Sequence, residues 1–201
     1  MGVEEDVKKI NHHWNYFLAL ESDMAIVSRY IEFSTKNDSV FSIELAHILF
    51  AASSECEVVA KSICERLEPQ STRENMGDCR EIIMRHHSDI ANENIFIPKY
   101  NLKVDTPFEL FAEGKRPAWW NSYNLVKHQR HLHFEEATLK NAMLAMGALQ
   151  ILIFYNELVQ LKGLPRILLI HPAVKILLPE SQLFRFHESY YYDWMTPRFR
   201  V

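Results

Sequence analysis

The sequence predicts a mainly α fold: an up-and-down helical bundle of four to five main helices, with a short extended or hairpin excursion near residues 95–105. Three observations predict it. Apolar residues recur at three- and four-residue steps through several long stretches, the spacing that gathers them on one face of a helix. Those stretches are bounded by a start residue such as Ser42 and by stop signals such as Pro69, Gly163 and Pro165. Only 5 glycines occur in 201 residues, which argues against a turn-dense β architecture and leaves little material for phosphate-cradling loops.

The first helix is expected from about Glu4 to Phe33, because Val7, Ile10, Trp14, Phe17, Met24, Val27 and Ile31 form one apolar seam. Glu21 falls in that seam where an apolar residue is expected. Asn37-Asp38-Ser39 signals a turn. Ser42 then reads as an N-cap, followed by Leu45, Ile48, Ala52, Cys56, Val59, Ile63 and Leu67 at helical spacing, until Pro69. Glu57 and Lys61 stand four apart in the order that favours pairing on the outer face. A weaker third helix is expected over Arg73 to Ser88. Ile95 to Val104 reads as extended chain, and Thr106-Pro107 as the start of a short helix. Pro117 opens the next helix in the same way. A long apolar helix is expected over about Glu135 to Leu161. Beyond it, Pro172 and Pro179 interrupt the apolar stretch Ile167 to Leu178, so irregular or short elements are expected. The tail Tyr190-Tyr191-Tyr192-Asp193-Trp194 is rich in aromatic residues. Residues 1–161 therefore form the bundle, and residues 162–201 a C-terminal extension packed on the same domain.

Hydrophobic residues at 48% and charged residues at 24% are ordinary for a globular chain, which argues against global disorder. A net charge of −4 excludes a general duplex-coating protein while leaving room for a local basic patch. The first residues, Met1-Gly2-Val3-Glu4-Glu5-Asp6, are acidic where a secretory leader is basic and then apolar. Cys56, Cys64 and Cys79 form no CxxC pair. A cytoplasmic setting with reduced thiols is expected. The most apolar segment, Ala142 to Tyr155, is shorter than the roughly 20 residues of a membrane span and contains Gln150, so a buried core helix is expected.

The strongest local signal is Trp119-Trp120-Asn121-Ser122-Tyr123-Asn124-Leu125-Val126-Lys127-His128-Gln129-Arg130. On a helix, Trp120, Asn124, Lys127 and His128 form a continuous strip, with Tyr123 and His131 along its edge. An amide, an ammonium and an imidazole side by side suit phosphate binding, and histidine suits proton transfer near neutral pH. The competing reading is an aromatic core face beside a solvated polar face.

Four segments together resemble a group of bacterial helical proteins of the HEPN superfamily. They are the first helix with Glu21 and Arg29-Tyr30-Ile31-Glu32, the Phe41-Ser42 cap, the Ser54-Glu55-Cys56-Glu57-Val58-Val59-Ala60-Lys61 helix, and Trp119-Trp120 through Tyr123-Asn124, Lys127-His128 and Arg130 with the apolar helix that follows. The resemblance covers about Val7 to Leu161. It implies an up-and-down bundle, frequently dimeric, linked to RNA cleavage in toxin, defence and RNA-processing settings. The motif it implies is an arginine, a polar residue such as asparagine, three further residues and a histidine. The implied chemistry is metal-independent: histidine and arginine activate the RNA 2′-hydroxyl and stabilise a pentacoordinate phosphate, leaving a cyclic phosphate end. Asn124-Leu125-Val126-Lys127-His128 fits the second half of that motif, whereas Tyr123 stands at the arginine position. Tyrosine supplies no fixed positive charge, and Lys127 and Arg130 lie off the matching position.

Two functions follow as expectations. In one, the chain binds or cleaves RNA, with His128, Asn124, Lys127 and Arg130 as the catalytic set. In the other it is a non-catalytic dimerising or ligand-sensing module in which Tyr123 marks the lost arginine. A homodimer is expected from the resemblance and the aromatic tail. Glu21 and Glu55 are expected to be partly buried and to draw donors from Asn124, Lys127 and Arg130, forming a network with Tyr123 and Trp120. His128, His131 and His133 with Glu135 and Glu136 are dense in potential ligands, yet their spacing is not that of a closed zinc site, so no metal and no cofactor is expected. Cys56 and Cys64 sit on an apolar seam, where a buried inert thiol is the default.

Overall fold

The computed structural model describes residues 10–161 and 166–191. Among them the chain forms α1 (His12–Val27), α2 (Ile43–Leu67), α3 (Met76–His86), β1 (Ile95–Ile97), β2 (Leu102–Val104), α4 (Ala118–His133), α5 (Leu139–Leu158) and α6 (Arg166–Ile176), joined by short 3-10 turns. The fold is mainly α. The expected helical residues before Ile10, the stop signals Gly163 and Pro165, and the tail from Tyr192 lie outside the described residues.

α5 is the axis of the fold. Every residue from Ala142 to Asn156 is buried, because α1, α2, α4 and α6 all pack against it. A helix apolar on every side is stable only when enclosed in this way. The hairpin joins the enclosure at Gly147, where an added Cβ would lie 3.5 Å from the side chains of Ile95 and Pro107. That is ordinary van der Waals contact, so the methyl fits. Gly147→Ala is therefore expected to stabilise the protein by about 0.5–1 kcal/mol through helix propensity. The check is a higher urea midpoint at unchanged slope; a lower midpoint means the hairpin cannot accept the methyl.

The caps fall where the sequence places them. Ser42 Oγ accepts the Leu45 N–H at 3.1 Å, and Lys61 donates to Glu57 at 2.7 Å. α2 stops at Glu68, which also ties the α2–α3 connection to the end of α3: its carboxylate accepts from Ser71 (2.6 Å) and His86 (2.8 Å) and pairs with Arg85. These partners, the Ser71 hydroxyl first, then His86 and Arg85, lower the carboxyl from the usual 4.5 to about 2. A group depressed on folding stabilises above its unfolded value and loses that contribution as pH falls through the folded one. The melting-temperature gap between the protein and Glu68→Gln is thus expected to be full above about pH 5 and to close as pH falls toward about 2. A gap independent of pH would contradict this assignment.

Four elements depart from expectation. Thr106-Pro107 leads into a 3-10 turn at Glu109–Phe111, and Pro117 is the residue before α4 instead of its first turn. The long apolar helix begins at Leu139, where Thr138 accepts the Asn141 N–H at 3.1 Å. α6 is a true helix across Pro172. Proline there removes one backbone donor, but Leu169, Ala173 and Leu177 are buried at four-residue steps, and their packing on α5 sustains the helix.

Past α6 the chain returns over α1 and is fastened by polar side chains. Glu21, buried in its seam, accepts the Ser181 hydroxyl and the backbone N–H groups of Gln182 (3.1 Å), Leu183 (2.9 Å) and Phe184 (3.1 Å). Gln150 of α5 donates to the Phe184 carbonyl at 3.1 Å, and Trp14 to the Pro179 carbonyl at 2.9 Å. Phe184 and Phe186 are buried, and Phe186 stacks on Tyr190 at 5.0 Å. Tyr190 donates to Glu93, and the Tyr155 hydroxyl to Asp89. Phe96 and Arg185 exchange backbone hydrogen bonds of 2.7 and 2.8 Å, which adds an edge to the β1–β2 hairpin. The described part of the C-terminal extension therefore packs on the bundle. No described helix is long and apolar enough to cross a membrane.

Candidate functional site

The strip on α4 splits into a buried half and an exposed half. Trp119, Trp120, Tyr123 and Val126 are buried, with the Trp119 indole donating to the Pro107 carbonyl at 2.9 Å. The Tyr123 ring lies 5.2 Å from that of Trp120 and 5.8 Å, edge-on, from Phe50 of α2. At 4% exposure, Tyr123 is a core residue. An arginine at this position would carry its guanidinium into a cluster of rings. Tyr123 is thus part of the packing of α4 on α2 and α5.

Lys127, His128 and Arg130 are exposed. The Lys127 ammonium stands 5.2 Å over the Tyr123 ring and the Arg130 guanidinium 4.9 Å over Phe50. Each exposed cation–π contact of this kind contributes about 0.5–1 kcal/mol. The two rings and two cations form one shelf: aromatic faces below, positive charge above. Among the described residues no carboxylate lies within ion-pair distance of Lys127 or Arg130, so their charge is open to an external anion. His128 follows Asn124 by four residues and shares its face. Asn124 is half-buried and donates its amide to the Trp120 carbonyl at 2.9 Å, and its own side-chain carbonyl accepts no hydrogen bond among the described residues.

α4 does not run straight to its end. Gln129 has φ −138° and ψ 42°, which breaks the helix after His128. The expected alignment of His131 beside His128 requires an unbroken helix and is lost there. Ser122 donates to Glu136 at 2.7 Å, and Asn141 donates to the Glu136 carbonyl at 2.8 Å, which folds the 134–136 turn back against α4. Among the described residues no three His, Cys, Asp or Glu side chains group to hold a metal ion.

Glu21 and Glu55 do not join the strip. Glu21 is satisfied by Ser181 and the amides of Gln182–Phe184, and Glu55 pairs with His13 of α1. Both are as enclosed as their helical positions suggest, but their partners come from distant chain segments. The expected network with Asn124, Lys127 and Arg130 is replaced by two separate clamps. Sequence reasoning also missed Phe50, which supports Arg130. Its signal was an aromatic two positions from Ile48, off the main seam of α2.

The cysteines are all buried and free. Burial pushes the Cys56 thiol well above its ordinary range. Cys64 is also raised, chiefly because its thiol hydrogen-bonds to Cys79, which is lowered by the same contact.

The fold and strip define a mainly α protein with an exposed cationic–aromatic shelf on one helix. Compared with protein-family models, with curated proteins and with solved structures, the chain matches none.

Proposed function

We propose that this chain is a HEPN-like RNA-binding protein that engages RNA through the exposed shelf of α4. The observation that carries this reading is the pair of unneutralised cations, Lys127 and Arg130, held over the Tyr123 and Phe50 rings. Phosphates pair with such cations, and the adjoining Asn124 carbonyl and His128 ring add hydrogen-bonding groups suited to a 2′-hydroxyl or base edge. The overall charge of −4 makes this a local interaction with a few phosphates instead of a broad electrostatic surface.

Binding without cleavage is favoured by one specific observation, the burial of Tyr123 at the motif arginine position. The chain then lacks a fixed cation beside His128 at the place where the implied mechanism needs one. The second reading, a metal-independent ribonuclease, draws on the exposure of His128 on the face of Asn124. In that reading His128 takes the 2′-hydroxyl proton while Lys127 or Arg130 stabilises the phosphate. A homodimer belongs to the proposal too. It is supported by Phe41, Ile43 and Leu132, large hydrophobic side chains exposed at 49%, 62% and 61%, with Phe41 packed edge-on to Phe134 at the end of α4.

The test is incubation of the protein and His128→Ala with labelled single-stranded and structured RNA in chelator. RNA that stays full-length and is held by the protein on a protein-retaining filter is the expected result. Cleavage that survives chelator and disappears in His128→Ala would establish the ribonuclease instead. Neither retention nor cleavage would remove the RNA reading.

A further inference from the structure

A second candidate site lies where the hairpin meets the C-terminal segment. A cavity of about 540 Å³ opens there, within the usual range for small-molecule sites. Its floor follows from strand pairing. Phe96 faces Lys103 across the β1–β2 ladder and Arg185 across the bridge on its other edge. Directly opposed residues on antiparallel strands project from the same face of the sheet. Ile95 and Ile97 are buried beneath, so Phe96, Lys103 and Arg185 share the outer face and line the cavity together. One aromatic ring is thereby flanked by two cations.

The walls repeat that chemistry. His187 tilts against Phe96 at 5.9 Å between ring centres, and the Arg185 guanidinium lies 4.4 Å over the Tyr191 ring. Arg185 also reaches Glu180 at 3.4 Å. Lys103 is exposed and has no ion-pair partner among the described residues. Glu188 is a lining carboxylate that opposes the two cations. The cavity thus offers stacking surfaces at its base and positive charge at both sides of the central ring.

We infer that this cavity binds a small planar ring bearing an anionic group, the ring stacked on Phe96 and the anion held between Lys103 and Arg185. Both nucleoside monophosphates and aromatic carboxylates have that chemistry. The site is separate from the α4 shelf, shares no residue with it, and stands or falls independently of RNA binding.

Calorimetric titration of the full chain with adenosine 5′-monophosphate and, separately, with 2-naphthoate tests the inference, beside Lys103→Glu and Arg185→Ala. Lys103 is exposed, so Lys103→Glu is expected to keep the parent's circular dichroism and melting temperature. Saturable binding of at least one probe is expected, weakened tenfold or more by Lys103→Glu and also by Arg185→Ala. Binding of the nucleotide alone names a phosphate ligand, and binding of naphthoate alone names a carboxylate. No saturable binding of either probe, or binding within threefold of the parent's in Lys103→Glu, would overturn the inference.

Discussion

Replacing Glu21 by alanine is expected to destabilise the protein by roughly 3–5 kcal/mol, among the largest single effects in the chain. The carboxylate accepts three backbone N–H groups and the Ser181 hydroxyl inside the protein. Its removal leaves the buried Leu183 N–H and the Ser181 hydroxyl without their acceptor, while the Phe184 N–H keeps the Ser181 oxygen at 3.0 Å, at about 1–3 kcal/mol for each buried group left unsatisfied. It also opens space beside Phe17 and Phe184, whose rings meet edge-on at 6.0 Å. Glu21→Gln keeps one acceptor oxygen and loses the charge, so roughly half the cost is expected. Urea unfolding of both variants checks the ordering, alanine below glutamine below parent. A cost under about 1 kcal/mol for alanine would show that water replaces the carboxylate and that the clamp is loose.

The clamp also bears on the α4 shelf by contrast. If Glu21 and Glu55 fed the shelf, as their seam positions first suggest, their loss would abolish RNA binding directly. Because each is engaged elsewhere, Glu55→Gln is expected to leave RNA affinity unchanged.

Joint replacement of Lys127 and Arg130 by alanine is the second large effect. RNA affinity is expected to fall at least tenfold, on the order of 1.4 kcal/mol or more. The slope of log affinity against log salt should become shallower by about 1.4, the release expected for two phosphate contacts on single-stranded RNA. Stability should fall by no more than about 1–2 kcal/mol, since both side chains are exposed and each contributes a cation–π contact of about 0.5–1 kcal/mol. The combination of weaker binding, a shallower slope and an intact fold separates phosphate contacts from a folding defect. Unchanged affinity in the double variant would take the shelf out of the RNA reading.

The legible parts of the fold were those governed by local chemistry. Ser42 announces α2 because its hydroxyl must meet a free amide of the first turn, and it does so at 3.1 Å. The core helix α5 follows from an apolar run too short for a membrane and too long for a strand. Pro172 misled for an equally local reason: proline opposes a helix by itself, while the buried Leu169, Ala173 and Leu177 that outweigh it act through α5. Glu21 was recognisable as a buried carboxylate, but its partners lie about 160 positions away, beyond any periodicity. The shelf was half legible. Helical spacing joined Trp120, Asn124, Lys127 and His128, whereas Phe50 comes from another helix and the break at Gln129 leaves no mark in composition. The Phe96 cavity was invisible because Lys103 and Arg185 flank Phe96 only through a strand pairing and a bridge made after folding.

Photocrosslinking of 4-thiouridine-substituted single-stranded RNA to the full chain, with the crosslinked peptides mapped by mass spectrometry, tests the central claim most directly. Crosslinks concentrated within Ala118–His133 and around Phe50, and lost in the Lys127 and Arg130 double replacement, are the predicted result. Crosslinks confined to other segments, or retained in the double replacement, would contradict RNA binding by the α4 shelf.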